Sequence, residues 1–191
     1  MDETLQAYRR AVDELEAVLA KVGAGQWDSP SACAEWTVRD VAGHVTWAQR
    51  QMRAWAVEEE FTDRSGAPGS AHPGALAGDD PVQAFRSARS ACDAALTAEA
   101  LARTTQITGL GEIPLSAVLP LLLTDSITHA WDMAHPLGMD IQLPPDLVAR
   151  ASAWAHANVV RAPGFFGPEA TPPSGADDQT RLLAYLGRGV G

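Results

Sequence analysis

The stretch LLLTDSITHAWDMAHPLGMD, residues 121–140, decides how this chain is organised. It begins as an apolar helix and then places Asp125 and His129 four residues apart. Residues at this spacing lie on one helical face, one turn above the other. Asp132 follows three residues after His129 and falls near the same stripe. A carboxylate and an imidazole side by side in an apolar helix predict a chemical site that residues elsewhere would complete.

Helical periodicity continues on both sides of this stretch. Apolar residues recur at steps of three and four, which is the spacing of one helical face. Pro120 lies inside the central helix and predicts a kink or a split there. Two non-helical segments are expected, a long loop at 61–78 and an extended connector or small hairpin at 104–113. The predicted helices are 2–22, one from 37 onward, 81 to about 100, 114–138, 146 to about 160, and 179–187.

These patterns predict an all-α fold, a four-helix bundle with extra short helices at its C-terminal end. A chain of 191 residues is long enough to bury one hydrophobic core. We find no internal repeat and no composition shift that would mark a linker. The expectation is therefore a single domain over residues 1–191.

Charge and composition exclude several classes of function. The formal net charge is −10, and nucleic acids and anionic membranes both favour positively charged partners. No apolar run reaches the roughly 20 residues of a membrane span. The polar start MDETLQAYRR is unlike a signal peptide, and two cysteines are too few for a disulfide framework. We expect a cytoplasmic protein whose partner is a small molecule, with no nucleic acid and no membrane.

A third candidate ligand lies on the second helix. His44 falls on the inward stripe that also carries Val41 and Val45. With Asp125 and His129 it forms a set of two histidines and one carboxylate, which leaves metal positions open for water or substrate. The spacing alone leaves an alternative, because a histidine on an apolar face is more often a satisfied core residue. In that case the chain is a metal-free bundle.

Two segments of the chain resemble signature stretches of one family. CAEWTVRDVAGHV (33–45) and LTDSITHAWDMAHPLG (123–138) are similar to the DinB-like metal-binding superfamily. The resemblance is to its actinobacterial branch, which includes the N-terminal domain of mycothiol-dependent maleylpyruvate isomerase. The tail RLLAYLGR (181–188) resembles the family's C-terminal stretch. The resemblance implies a DinB/YfiT-like four-helix bundle in which His44, Asp125 and His129 are the metal ligands.

The same resemblance implies a chemistry. A divalent metal, zinc first and nickel or iron as alternatives, would bind a thiol such as mycothiol as its thiolate or polarise a substrate carbonyl. The implied activity is a thiol-dependent isomerase or S-transferase acting on a small molecule, and a homodimer is one possible assembly. Two differences from the isomerase stand out. This chain has Asp125 where the isomerase has Glu, and little sequence remains for the isomerase's second domain.

The alternative function is a non-catalytic, metal-containing bundle that binds a small molecule or serves a stress response. It requires a closed site with a fourth protein ligand, for which His156 and Cys33 are candidates. Cys33 is otherwise either a nucleophile before a helix or a small buried hydrophobe. Asp132 either orients a metal-bound histidine or pairs with an arginine. Trp47 is the best candidate for an aromatic wall, while Trp36 and Trp131 are expected in the core.

Overall fold

The computed structural model describes residues 3–107, 111–161 and 166–190. Over these residues the chain is mostly helical and includes one two-stranded antiparallel hairpin, which confirms the predicted all-α class. The α-helices are α1 (Glu3–Leu19), α2 (Val38–Ala56), α3 (Pro81–Ala95), α4 (Ala98–Ala102), α5 (Leu119–Ala134), α6 (Pro145–Asn158) and α7 (Asp178–Tyr185). The strands are β1 (Thr104–Ile107) and β2 (Gly111–Pro114).

Four of the helices form the bundle. α5 packs against α1 and α2, and α3 packs against the same two helices. The core between them contains Leu15, Met52, Phe85 and Leu119, whose side chains are fully buried. α6 packs on the outside of α5, and α7 packs on α6. The predicted four-helix bundle with extra C-terminal helices is therefore confirmed.

The start of α2 follows from its sequence. The Thr37 hydroxyl accepts a hydrogen bond from the Asp40 backbone at 3.1 Å, and the Asp40 carboxylate accepts one from the Thr37 backbone at 2.9 Å. This reciprocal capping box satisfies two backbone donors that have no partner inside the helix. It fixes where α2 begins and hence which face of the helix carries His44.

The prediction for the third helix was wrong at its end. α3 stops at Ala95, whereas the periodicity predicted a helix to about residue 100. The reason is a competing cap, because the Thr97 side chain accepts a hydrogen bond from the Ala100 backbone at 3.1 Å and begins α4. The predicted hairpin at 104–113 is present as β1 and β2, and its turn lies outside the described residues.

The predicted helix 114–138 is divided beside Pro120, which is one of the two outcomes expected. A separate 3-10 turn at Leu115–Val118 precedes α5, and Pro120 lies in the first turn of the helix. Proline is tolerated there because its missing N–H would have no partner within the helix. α5 ends at Ala134, and Gly138 follows with a positive φ of 71° after a second 3-10 turn. Asp125, His129 and Asp132 therefore lie on one uninterrupted helix.

The C-terminal tail folds back onto the bundle, as predicted. Leu182 and Leu186 are buried in a cluster that also contains Leu123 and Ile127 of α5. This packing brings the residues after α7 close to the middle of α5. No helix among the described residues is long and apolar enough to cross a membrane.

Candidate metal centre

The structure brings the three predicted ligands together. His44 on α2 and Asp125 and His129 on α5 each offer a donor atom within 4.8 Å of the others. The Oδ1 atom of Asp125 lies 3.3 Å from His129 Nε2 and 3.7 Å from His44 Nε2. Both imidazoles are buried, whereas the Asp125 side chain is 25% exposed. The carboxylate thus lies between two buried rings and keeps one side open.

The other nitrogen of each ring is already engaged. His44 Nδ1 lies 2.7 Å from the carbonyl oxygen of Gly66, and a carbonyl can only accept a hydrogen bond. His129 Nδ1 lies 2.9 Å from the carboxylate of Asp132. Nδ1 of each ring therefore carries a proton, and Nε2, which is directed towards Asp125, is the atom that a metal ion would bind. This is the arrangement that fixes the tautomer of metal-binding histidines.

The long loop predicted at 61–78 supports the His44 side of the centre. Its backbone carbonyls accept hydrogen bonds from three aromatic rings of the site: Asp63 from Trp47 Nε1 (2.8 Å), Gly66 from His44, and Ser70 from Trp36 Nε1 (2.9 Å). Glycine is needed for this close approach, since a Cβ at Gly66 would lie 2.3 Å from the Cβ of Trp47.

The His129 side is supported by a buried charge cluster. Asp132 is fully buried, and its Oδ2 atom also accepts from the Cys33 thiol at 3.0 Å. Arg188, in the tail after α7, donates from Nε to Oδ1 at 3.0 Å and from Nη2 to Oδ2 at 2.7 Å. The predicted pairing of Asp132 with an arginine is confirmed, and the contact with His129 is the one that the orienting role requires, so that role stays a prediction.

The attraction between Asp125 and the two histidines affects the pKa values of Asp125 and His129 more than burial does. Burial by itself would raise the pKa of Asp125, but His129 and His44 hold it well below its usual range. Burial would likewise lower the pKa of His129, but Asp125, with Cys33 and Asp132, raises it well above its usual value. The metal-free centre therefore holds a carboxylate beside a protonated His129 at neutral pH.

Cys33 is held as a thiol. Burial raises its pKa, and the negative charge of Asp132 raises it further. Cys33, His129 and Asp132 also offer donor atoms within 4.8 Å of one another, on the Nδ1 side of the ring. The Arg188 guanidinium lies 3.6 Å from the Cys33 sulfur and already supplies the positive charge that a cation would bring. This second group therefore forms a charge cluster that Arg188 already neutralises.

Aromatic rings surround the two histidines. The Trp47 ring stacks on His44 with centroids 6.3 Å apart, as expected for the aromatic wall. Trp36 lies closer than expected, at 5.1 Å from the His44 ring and 6.3 Å from the His129 ring. Trp131 is buried and stacks on His135. Trp36 packs against the core as predicted and also lies beside both candidate ligands.

Sequence reasoning missed Gly66, Arg188 and the contacts of Trp36. Gly66 and Ser70 lie in an aperiodic loop, where no spacing pattern indicates which carbonyl meets which ring. Arg188 was part of a segment noted for its resemblance, but its partner Asp132 lies 56 residues away. A buried carboxylate such as Asp132 requires a positive partner, and that requirement was the one available signal.

The donor set fits a divalent ion. Two ligands roughly 2.0–2.1 Å from a tetrahedral zinc lie roughly 3.3 Å apart. The two separations from Asp125 Oδ1, 3.3 and 3.7 Å, are close to that value. Imidazole nitrogen and carboxylate oxygen suit zinc, nickel and iron. The open side of Asp125 leaves room for a further, non-protein ligand.

A helical bundle with two buried imidazoles about one partly exposed carboxylate defines a candidate metal-binding protein. Comparison with known families identifies which one: residues 8–134 match the model of the mycothiol maleylpyruvate isomerase N-terminal domain. The chain belongs to that family, and all three candidate ligands lie within the matched residues.

Two relatives come from two strains of Mycobacterium tuberculosis. Each is 33% identical over 192 residues, covering 98% of this chain and 99% of the relative, and each is named only as an uncharacterized protein. No solved structure matched the chain. The family and the ligand cluster together suggest a mycothiol-related, divalent-metal-binding function.

Proposed function

We propose that the protein binds one divalent metal ion through His44 Nε2, Asp125 Oδ1 and His129 Nε2, and uses it in a thiol-dependent isomerase or S-transferase reaction on a small molecule. Zinc is the first candidate for the metal and mycothiol for the thiol. We also propose that residues 1–191 act as one cytoplasmic domain.

One observation carries the metal proposal. Two imidazoles from different helices direct Nε2 towards the same carboxylate oxygen while both Nδ1 atoms donate to oxygen acceptors. Core histidines that merely satisfy each other have no need of this common direction. In a metal-free bundle the attraction between Asp125 and a protonated His129 would account for one of these contacts, and the second imidazole on the same oxygen is the feature that favours a bound cation.

A bound divalent ion would lower the pKa of a thiol at its open position or draw electron density from a carbonyl there. The residues of the chain would prepare that position. Gly66 and Asp132 hold the two rings, and Trp36 and Trp47 shield the ligands from water. The 25% exposure of the Asp125 side chain provides the approach for a small molecule.

The non-catalytic alternative requires a fourth protein ligand, and neither candidate fits. Cys33 faces the Nδ1 side of His129 and donates to Asp132. His156 is exposed on α6, where its Nδ1 contacts the Ser152 carbonyl at 2.8 Å and its ring stacks on Tyr185. Three protein ligands with a fourth position left for water or substrate would match the pattern of catalytic sites.

Metal analysis tests the binding step. The wild-type protein and an Asp125→Asn variant are loaded with zinc, nickel or iron and freed of excess ion, and bound metal is then measured. We expect near-stoichiometric metal in the wild type and a large loss in the variant. Asp140→Asn is the matched control, because Asp140 is exposed and lies outside the centre. Equal metal content in wild type and Asp125→Asn would contradict the proposal.

The thiol step requires a separate titration. Mycothiol is added to the protein loaded with cobalt(II), and the absorption spectrum of the ion is followed. We expect a new sulfur-to-metal charge-transfer band that is absent without the thiol. A spectrum that stays unchanged at millimolar mycothiol would remove the thiol from the proposal and leave the metal site standing.

A further inference from the structure

Asp132 is a buried carboxylate held by donors from three parts of the chain. Its Oδ2 atom accepts hydrogen bonds from His129 Nδ1 at 2.9 Å, Cys33 Sγ at 3.0 Å and Arg188 Nη2 at 2.7 Å. Its Oδ1 atom accepts one from Arg188 Nε at 3.0 Å. A carboxylate with no solvent contact is strongly unfavourable without a paired positive charge. Arg188 supplies that charge from a side chain that is itself only 12% exposed.

The Arg188 side chain neutralises the charge of Asp132 and also fixes the orientation of its carboxylate. A guanidinium that donates to both oxygens fixes the plane of the carboxylate, which a single ammonium group would not do. The guanidinium is itself held, because Nη1 donates to the Leu186 carbonyl at 2.9 Å and the Arg188 backbone donates to the Leu183 carbonyl at 2.9 Å. The direction of Oδ2 towards His129 thus depends on the tail.

We propose that Arg188 is a positioning residue for the metal centre. Its two-point contact with Asp132 holds the carboxylate that accepts a hydrogen bond from His129 Nδ1. This hydrogen bond in turn directs His129 Nε2 towards Asp125. This inference rests on the proposed metal-binding function. It assigns part of the centre to the C-terminal tail, well beyond residues 8–134, where the family match lies.

Variants of the full chain test this role. In Arg188→Ala the carboxylate loses both guanidinium contacts, and we expect zinc affinity to fall roughly tenfold, at the lower end of the roughly 10–100-fold range for outer partners of metal ligands. In Arg188→Lys the positive charge remains but the two-point contact with the carboxylate is lost. The zinc affinity of this variant should therefore lie between those of Arg188→Ala and wild type. The control is Arg181→Ala, because Arg181 on α7 is 61% exposed and pairs only weakly with Asp178, at 3.5 Å.

A second readout is independent of metal. The hydrogen-bonded Nδ1 proton of His129 should give a downfield, slowly exchanging NMR resonance in the metal-free wild type and in Arg181→Ala. We expect it to shift upfield or broaden in Arg188→Ala, and to a lesser degree in Arg188→Lys. A purely structural role would lower the thermal stability without moving this resonance.

The outcomes separate the two claims. If wild type binds zinc and the folded Arg188 variants bind it equally well with an unchanged His129 resonance, the positioning role is wrong. If wild type binds no zinc, the proposed function fails, and the resonance alone decides whether Arg188 orients His129. Should Arg188→Ala not fold, Arg188→Lys decides: weakened affinity with a shifted resonance supports the role, and wild-type values for both overturn it.

Discussion

The Nδ1 atom of His44 lies 2.7 Å from the carbonyl oxygen of Gly66. This contact joins the ligand helix α2 to a loop that has no regular structure of its own at that point. Because Gly66 has no side chain, its backbone reaches the face of α2 next to Trp47. The orientation of one candidate ligand therefore depends on a loop glycine 22 residues away.

Replacing Gly66 with alanine should disturb the centre. The new Cβ would lie 2.3 Å from Trp47 Cβ, so the loop must move and take its carbonyl away from His44. We expect a loss of roughly 1–3 kcal/mol in the free energy of unfolding, typical of overpacking, together with weaker zinc binding. Denaturant unfolding and zinc titration measure the two effects.

Gly25→Ala is the matched control for this change. Gly25 has open space around its Cβ position and is exposed. We expect no loss of stability or of zinc affinity in that variant. Unaltered zinc binding in Gly66→Ala would contradict the role of the loop.

Metal binding should release a proton. The pKa of His129 is raised well above its usual value, chiefly by Asp125 acting against the effect of burial. Below that pKa the metal-free ring is protonated, and an ion can bind Nε2 only after the proton leaves. The apparent affinity should therefore rise with pH until the pKa of His129 is passed.

Calorimetric titrations of zinc in buffers of different ionisation enthalpy measure this release. At neutral pH we expect about one proton released per ion, on top of any from the ligands that the ion itself brings. Binding heats that are independent of the buffer would contradict the assignment.

The helices and the candidate ligand set could be predicted from the sequence, whereas the contacts that support the candidate ligands could not. Asp125 and His129 are four residues apart on one helix, so a local pattern exposes them, and the inward stripe of the second helix offered His44, which the resemblance then supported. The end of α3 was missed because the apolar periodicity continues past Ala95 while the Thr97 cap interrupts the helix. The spacing of apolar residues does not show whether the periodicity or the cap decides where the helix ends.

The contacts that fix the rings belong to tertiary structure. The carbonyl of Gly66 contacts His44, which lies 22 residues away in the sequence. The guanidinium of Arg188 contacts Asp132, which lies 56 residues away. Neither carries a periodic signal, because one lies in a loop and the other in a tail. Their positions follow from the packing of the loop on α2 and of α7 on α6, which only the folded chain reveals.

Zinc should raise the melting temperature. An ion that binds only the folded state at a hundred times its Kd stabilises that state by roughly 2.7 kcal/mol. For a chain of this size that corresponds to a rise in Tm of roughly 5–10 °C. Differential scanning calorimetry with and without a chelator measures the shift. No shift in wild type, or the same shift in an Asp125→Ala/His129→Ala double variant, would favour the metal-free bundle.

Cys33 should be a poor nucleophile. Burial and the charge of Asp132 raise the pKa of its thiol, so little thiolate is present at neutral pH. Alkylation of native protein by iodoacetamide, followed by peptide mass spectrometry, should modify Cys33 several-fold more slowly than free cysteine. Cys33→Ser keeps a donor to Asp132 and should retain zinc affinity. Rapid alkylation, or loss of zinc binding in Cys33→Ser, would contradict this assignment.

The central claim is that one ion is bound by residues from two helices. A crystal structure of the zinc-loaded protein, with anomalous data collected on both sides of the zinc edge, tests it most directly. We predict a single strong anomalous peak roughly 2.0–2.2 Å from His44 Nε2, Asp125 Oδ1 and His129 Nε2. A fully loaded crystal whose zinc lies elsewhere, with His44 and His129 still turned towards a bare Asp125, would contradict it.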